Sequence, residues 1–480
     1  MLYFLPVLAV LLLVARAGAQ QAGLAPAGAA SVTVTSPLQS LNASDPLLGS
    51  VPVGKVDPNP IRLTLLDAID RGLKRNLGLL LAEQDSRFAQ GGRWTALSHL
   101  LPNVQLGLTE AAAQVDLAAS GFNRHTAPAA TGLILSPFNY FQAGPALTEI
   151  LNFKDLNTWR AAKENLKAAQ LSYRAIRDLV VLVVGASYLQ AQTDAARVES
   201  VQAQVQTAQT LFDQAKDLRR VGIVAGIDVL RAQVELEAQQ QRLVVAQNDY
   251  EKQMLSLARA IGLPSGQKFT LIDKMPPPAP LQLTFDEALK RAYDSRPDYK
   301  RAESQVRSLE LLRRAAQGER LPSIGVSGNY AAVGVNPSNS HGTFTAAASL
   351  QIPVFQGGKV RGDVMQADAQ LQQVRAQLED LRARIEFEVR TAFLDVNAAS
   401  KLLEVATSAL DLARQQVAQT RDRFAQGVTN NVEVVQAQQA QATAEENYIA
   451  GLFAHNFAKL SLARALGIAE EATRKFLGGK

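Results

Sequence analysis

The chain has 480 residues, with 49 Lys and Arg against 44 Asp and Glu, 4 His and no Cys. The net charge of +5 is thin over this length and gathers into no basic block, so nucleic acid is not an expected partner. Without cysteine there is no disulfide, no thiol nucleophile, no thiolate metal site and no lipid anchor on an N-terminal cysteine.

Residues 2–15 form an apolar run followed by Ala17-Gly18-Ala19, which predicts a signal peptide over 1–19, cut after Ala19. No Lys or Arg precedes the run. An N-terminal membrane anchor is the alternative, against which stands a length short of the ~20 residues a span needs. Residues 20–60, rich in Ala, Ser, Pro and Gly, read as a flexible lead.

Leu63-Thr64-Leu65-Leu66-Asp67-Ala68-Ile69 opens a helix, with Thr64 as N-cap and Asp67 three residues on. The same pattern returns 220 positions later as Leu283-Thr284-Phe285-Asp286-Glu287-Ala288-Leu289. Each helix is expected to run about 36 residues and to stop before a proline, Pro102 or Pro322. Beyond each proline the period drops to two. Val104, Leu106 and Leu108 alternate with polar or small residues, as do Ile324, Val326 and Tyr330, then Phe344, Leu350 and Ile352. These are expected strand pairs, ending at Pro137 and Pro353 and joined by loops around 121–130 and over 336–342. Apart from the signal run, the best apolar run is Leu179 to Ala186, far too short to cross a membrane as a helix.

Two proline-free stretches follow, Lys154 to Arg220 and Lys359 to Gln426, each a predicted helix of about 67 residues, or roughly 100 Å. Each ends in a glycine turn, at Gly222 and Gly427, and a helix of about 35 residues returns to Gly262 or Gly467. An offset of 205 links Gly222 with Gly427, Asp228 with Glu433, and Ala232-Gln233 with Ala437-Gln438. The chain therefore reads as two internal structural repeats, 61–262 and 283–467, with a Pro-rich linker at 263–282 and a tail at 468–480. A long helix needs partners along its whole length, and two shorter helices end to end supply them.

The paired helix starts, Leu-Pro-x-Val/Ile before each hairpin, Ile352-Pro353-Val354-Phe355-Gln356-Gly357-Gly358 and the two glycine tips together resemble the TolC-type outer-membrane efflux channels. The resemblance covers nearly all of 61–468. It implies an α+β membrane protein: a homotrimer whose 12-stranded β-barrel, four strands per chain, continues as a long periplasmic α-helical barrel. Its partners would be a periplasmic adaptor protein, an inner-membrane pump and outer-membrane lipid. Physics agrees on oligomers, since four strands cannot close a barrel and open edges in lipid leave backbone groups unsatisfied. The function implied is a passive exit duct of a tripartite efflux or type I secretion system, opened at its tip by partner contact. The hairpin loops would then face outside the cell. A secreted helical scaffold or filament without a pore is the alternative, and it has no use for the strand pairs.

By the same resemblance, gate or constriction residues fall at Asp228, Arg231, Arg423, Glu433 and Gln436. Adaptor docking falls at Arg219, Arg220, Val221, Gly222, Ile223, Gln426, Gly427 and Val428. Plain turn chemistry and helix-dipole complementation account for several of these residues equally well. The four histidines pair at no ligand spacing, no nucleophile elbow or Walker motif occurs, and no cofactor or enzymatic activity is expected. Trp94 and Trp159 suit either a membrane interface or helix packing.

Overall fold

The computed structural model describes residues 45–116, 134, 137–273, 275, 283–426, 428–429 and 431–476, all within one compact unit, Pro37–Lys480. The expected signal peptide, the loop at 121–130, residues 276–282 of the linker and Gly427 lie outside the described residues. In order come β1 (Ile61–Leu63), α1 (Leu65–Arg75), α2 (Leu77–Ser98), β2 (Asn103–Ala113), β3 (Phe138–Leu151), α3 (Phe153–Arg220) and α4 (Gly226–Ala260). Then follow β4 (Phe269–Leu271), α5 (Phe285–Ser295), α6 (Pro297–Gly318), β5 (Ser323–Asn336), β6 (Asn339–Gln351), α7 (Lys359–Ala425), α8 (Asn431–Ala465) and α9 (Ala469–Phe476).

The two expected helix starts form, each with a capping box. Thr64 Oγ1 accepts from the Asp67 amide at 3.0 Å while Asp67 accepts from the Thr64 amide at 3.3 Å. Thr284 and Glu287 repeat the exchange at 3.4 and 3.1 Å. Neither helix then runs about 36 residues. Each breaks after 11, at Asn76 and at Arg296, where ψ swings to 131° and 120°. The first helix resumes because Asn76 caps α2, its Oδ1 accepting from the Gly78 amide at 3.0 Å. The second resumes on Pro297, the first residue of α6, and a residue before proline is driven out of the helical region.

Helices α3 and α7 span 68 and 67 residues, about 100 Å each. The first part of α3 packs between α2 and α6, the rest between α4 and α8, and α7 lies against α6 and then α8. Two buried clusters hold the middle of this layer. One joins Val180, Val184 and Tyr188 of α3 to Leu65, Ile69 and Leu257. The other joins Ile385, Val389 and Val396 of α7 to Ala288, Ala292 and Leu462. α3 is the one described helix with a stretch apolar enough to cross a membrane, but 72% of that stretch is buried inside the protein, where it serves as core.

The four long strands form one antiparallel sheet in the order β2-β3-β5-β6, leaving β2 and β6 as edges. The first hairpin differs from the expectation that it ends at Pro137. Pro137 precedes β3, which runs on to Leu151 and carries Pro145 inside it. The ladder to β5 skips Gly144 and Pro145, as a residue without an N–H requires. Gly144 lies so close to β5 that a Cβ there would meet the Tyr330 carbonyl oxygen at 2.1 Å. The second hairpin is tighter than the expected loop over 336–342. Only Pro337 and Ser338 separate the strands, and Asn336 Oδ1 accepts from the Asn339 amide at 2.8 Å.

A parallel pair, β1 with β4, joins Ile61 to Phe269 and was not foreseen. Residues from Asp45 on, expected within the flexible lead, dock instead: the Leu47 carbonyl accepts from Asn76 Nδ2 at 2.7 Å. The expected tail likewise carries α9, whose Ala469 and Ala472 are buried.

Candidate channel wall and tip

The sheet has one mainly apolar and one mainly polar face, with Glu110 and Glu149 among the exceptions on the first and Ile150 among those on the second. Val104, Leu106 and Leu108 pair with Leu147, Pro145 and Ala143, while Ile324, Val326 and Tyr330 pair with Leu350, Ala348 and Phe344. The other face carries Gln105, Thr109, Gln142, Thr148, Ser327, Asn329, Thr345 and Ser349. The apolar face is bare in the single chain: Leu106 is 84% exposed and Phe344 79%. A sheet with an apolar outer and a polar inner face is what a β-barrel wall in lipid requires.

The helix layer also has two unpartnered sides. α4 leaves Ile227, Leu230, Val234, Val245 and Leu255 exposed, opposite its buried Val229, Ala232 and Leu236. α7 leaves Phe387, Leu394, Val405 and Leu412 exposed, opposite its buried Ile385, Val389 and Val396. Since α3 and α8 pack between them, α4 and α7 are the edges of the layer, as β2 and β6 are of the sheet.

At the far end from the sheet, α3 closes through Gly222, at φ +80°, with the Ile223 amide donating to the Leu218 carbonyl at 2.9 Å. The second turn makes the matching bond from the Val428 amide to the Arg423 carbonyl at 3.0 Å. Val221, Ile223 and Val428 stand 64%, 65% and 63% exposed, an apolar knob on each turn. Arg219, Arg220 and Gln426 are exposed beside them, and Arg220 reaches Asp217 at 3.0 Å. Within one chain Asp228 pairs with Arg231 at 3.5 Å, and Arg423 pairs with Glu433 at 3.9 Å. Arg231 and Gln436 also line a common groove of about 480 Å³ between α4 and α8, floored by Leu230, Val234 and Val435. The structure thus gathers all five expected gate positions at one end of the molecule, in two separate pairs and a groove.

One polar cluster has no counterpart in the sequence reading. Arg296, only 2% exposed, donates to Asp298 at 3.0 and 2.6 Å, to Glu388 at 2.7 Å and to the Ala465 carbonyl at 3.3 Å. Arg464 donates to the same Glu388 oxygen at 2.7 Å. Burial opposes the Asp298 charge, but the Arg296 guanidinium beside it holds the carboxyl below its usual range. A neighbouring cavity of about 260 Å³ is lined by Asp178, whose pKa rises to about 6 through burial and the nearby Glu470 and Asp298. Glu470 of α9 is held by Arg177 at 2.6 and 3.0 Å. The signal that could have found this cluster is the Arg296-Pro297 dipeptide, which marks the break and strands a long cation there. Trp94 is 59% exposed with Arg93 over its ring, while Trp159 is half-buried on α3.

The chain is similar to known proteins over most of its length. TolC of Escherichia coli strain K12, an outer membrane protein, is 23% identical over 413 residues, covering 81% of this chain and 79% of TolC. Protein CyaE of Bordetella pertussis is 27% identical over 319 residues, 64% of this chain and 67% of CyaE. The CmeC outer membrane channel of Campylobacter jejuni superposes with a TM-score of 0.73 at 17% identity, over 91% of this chain and 95% of CmeC. The sequence profile described as "Outer membrane efflux protein" matches residues 68–263 and 288–468. Its two matched segments enclose the long helices, the sheet and both tip turns, and on that ground the chain belongs to the outer membrane efflux protein family and is a protein of the outer membrane.

Proposed function

We propose that three copies of this chain form a passive exit duct for a tripartite efflux pump or a type I secretion system. The observation that carries the reading is the amphipathic four-stranded sheet with two open edges. In lipid those edges must be paired, and β2 of one copy against β6 of the next does so. Two copies would make eight strands, a barrel whose interior side chains fill it. Three make twelve, which leaves a passage. The exposed stripes of α4 and α7 meet in the same rotation and close a helical barrel below. A filament without a pore gives the bare apolar sheet face no partner.

The tip is the proposed gate and docking end. Val221, Gly222, Ile223 and Val428, with Arg219, Arg220, Gln426 and Gly427, would meet the periplasmic adaptor. Asp228, Arg231, Arg423, Glu433 and Gln436 would hold the passage shut, with three copies of Glu433 forming a negative ring. Transport needs no chemistry from this chain.

The test combines mass and topology. The detergent-solubilised protein is expected at three times the chain mass, and cysteine at Ser338 is expected to react with an impermeant thiol reagent on intact cells. A monomer or dimer in detergent, or labelling of position 338 only after lysis, would overturn the reading.

A further inference from the structure

The duct reading leaves unused a polar crevice where α3, α4 and α8 meet. Gln239, thirteen residues beyond the start of α4, sets it roughly 20 Å from the tip. Its volume is about 60 Å³, and it is lined by two carboxylates, Glu235 and Glu445, together with Gln204, Gln239, Gln441 and Thr207.

Glu235 is 9% exposed. Its oxygens accept from Gln239 Nε2 at 2.8 Å and from Gln439 Nε2 at 3.4 Å. Among the described residues no Lys, Arg or His forms an ion pair with it. A buried carboxylate held only by neutral amides has no cation in contact to offset its desolvation. Glu445 is the opposite case. Burial opposes its charge, but Ser200 Oγ, Gln441 Nε2 and Gln204 Nε2 donate to it and Arg414 stands 3.9 Å away, so it titrates below the usual range. The crevice therefore holds two acids against one arginine.

Gln239 supplies the independent observation. It is 3% exposed, lines the crevice, and its amide oxygen accepts no hydrogen bond. A buried acceptor left bare in a polar crevice calls for a donor or a cation. Water alone would satisfy that oxygen but would leave Glu235 with no cation in contact. No group of three or more His, Cys, Asp or Glu gathers anywhere among the described residues, so a metal here must draw on neutral oxygens. Carboxylate, amide and hydroxyl oxygens with no sulfur or imidazole suit a hard cation. Long, adjustable Glu and Gln side chains suit Ca²⁺, which accepts six to eight oxygens in flexible geometry, better than Mg²⁺, which demands a near-ideal octahedron.

We propose that this crevice binds Ca²⁺ between Glu235, Gln239 and Glu445, tying α4 in the first half of the chain to α8 in the second. The bound ion would compensate Glu235, fill the coordination of Gln239 and stiffen the wall above the tip.

The experiment is equilibrium dialysis of the detergent-solubilised full chain against ⁴⁵Ca²⁺, with thermal melts in CaCl₂ and in KCl of equal ionic strength. Wild type is expected to bind one ion per chain at this site and to melt about 2 °C or more higher in CaCl₂. Glu433→Ala, which removes the acid at the tip, is expected to lose at most the cation held by the tip ring and to keep both the crevice ion and the rise in melting temperature. Glu235→Gln is expected to lose both, yet to melt above wild type without Ca²⁺, since it removes the buried charge. Gln239→Leu is expected to weaken binding about tenfold, as loss of one coordinating partner does. Equal Ca²⁺ binding by wild type and Glu235→Gln would overturn the proposal. So would wild type binding none, or binding that disappears with Glu433→Ala.

Discussion

The two helix breaks, at Asn76 and Arg296, stand 220 positions apart and reach nearly the same backbone angles, φ −61° and −59°. Their side chains solve the break in different ways. Asn76 is small, fully buried and local: one amide caps α2 and reaches back to the Leu47 carbonyl. Arg296 is large, almost fully buried and long-range, collecting Asp298, Glu388 and a carbonyl of α8. The first half of the chain seals its break with a docked N-terminal segment, the second with charge. A break in the backbone thus fixes a place, not a chemistry, and the neighbours decide what fills it.

The sharpest way to break this contrast is Arg296→Met. It strands Asp298 and leaves Glu388 to Arg464 alone, and a loss of about 3 kcal/mol is expected in denaturant unfolding. Next comes Asp178→Asn, which probes the charge around the second break alone. The folded pKa of Asp178 is raised, to about 6, so its contribution is fully present below the unfolded value and is lost as pH rises through 6. Asp178→Asn is therefore expected to stabilise the protein by about 2 kcal/mol at pH 7.5 and to change little at pH 4. Equal effects at both pH values would show that charge plays no part there. Asn76→Ala removes one cap and one carbonyl partner, for an expected loss of about 1–2 kcal/mol without pH dependence. Smallest is Glu433→Ala, since the Arg423 pair is exposed on both sides. Unfolding is expected to move by less than about 0.5 kcal/mol, and the effect should appear instead as weaker divalent-cation block of conductance in planar bilayers.

The sequence made some of this legible and hid the rest for physical reasons. Alternation at Ile324–Tyr330 and Phe344–Ile352 exposed the second hairpin because one face is apolar throughout. In the first hairpin β3 is continuous but carries Gly144 and Pro145 inside it, residues that argue against a strand, and its start lies later than expected. The long helices were legible from the lack of proline, and the tips from glycine. The break at Asn76 was not, because Leu73-Lys74-Arg75-Asn76-Leu77 keeps helical composition across it. The break at Arg296 was written in Arg296-Pro297, and the offset of 220 would have carried it back to Asn76. The tip residues were reached by resemblance, yet their pairing follows from distance between helices, which spacing along the chain does not encode. The Glu235 crevice was invisible for the same reason: its lining residues come from three helices.

The order of strands in the sheet has a consequence for how the molecule is made. β2 with β3, and β5 with β6, are each hairpins of neighbours, able to zip as soon as both strands exist. The seam between β3 and β5 joins Phe141 to Gly334, and β1 with β4 joins Ile61 to Phe269. Neither can form until roughly 200 more residues have arrived, and such distant pairings are slow. A chain emerging from its N-terminus therefore passes through a stage with a finished first hairpin, bare on its apolar face and unpaired along β3. That half-made wall, with apolar surface and an open edge both uncovered, is the stage at which the nascent chain is most prone to aggregate.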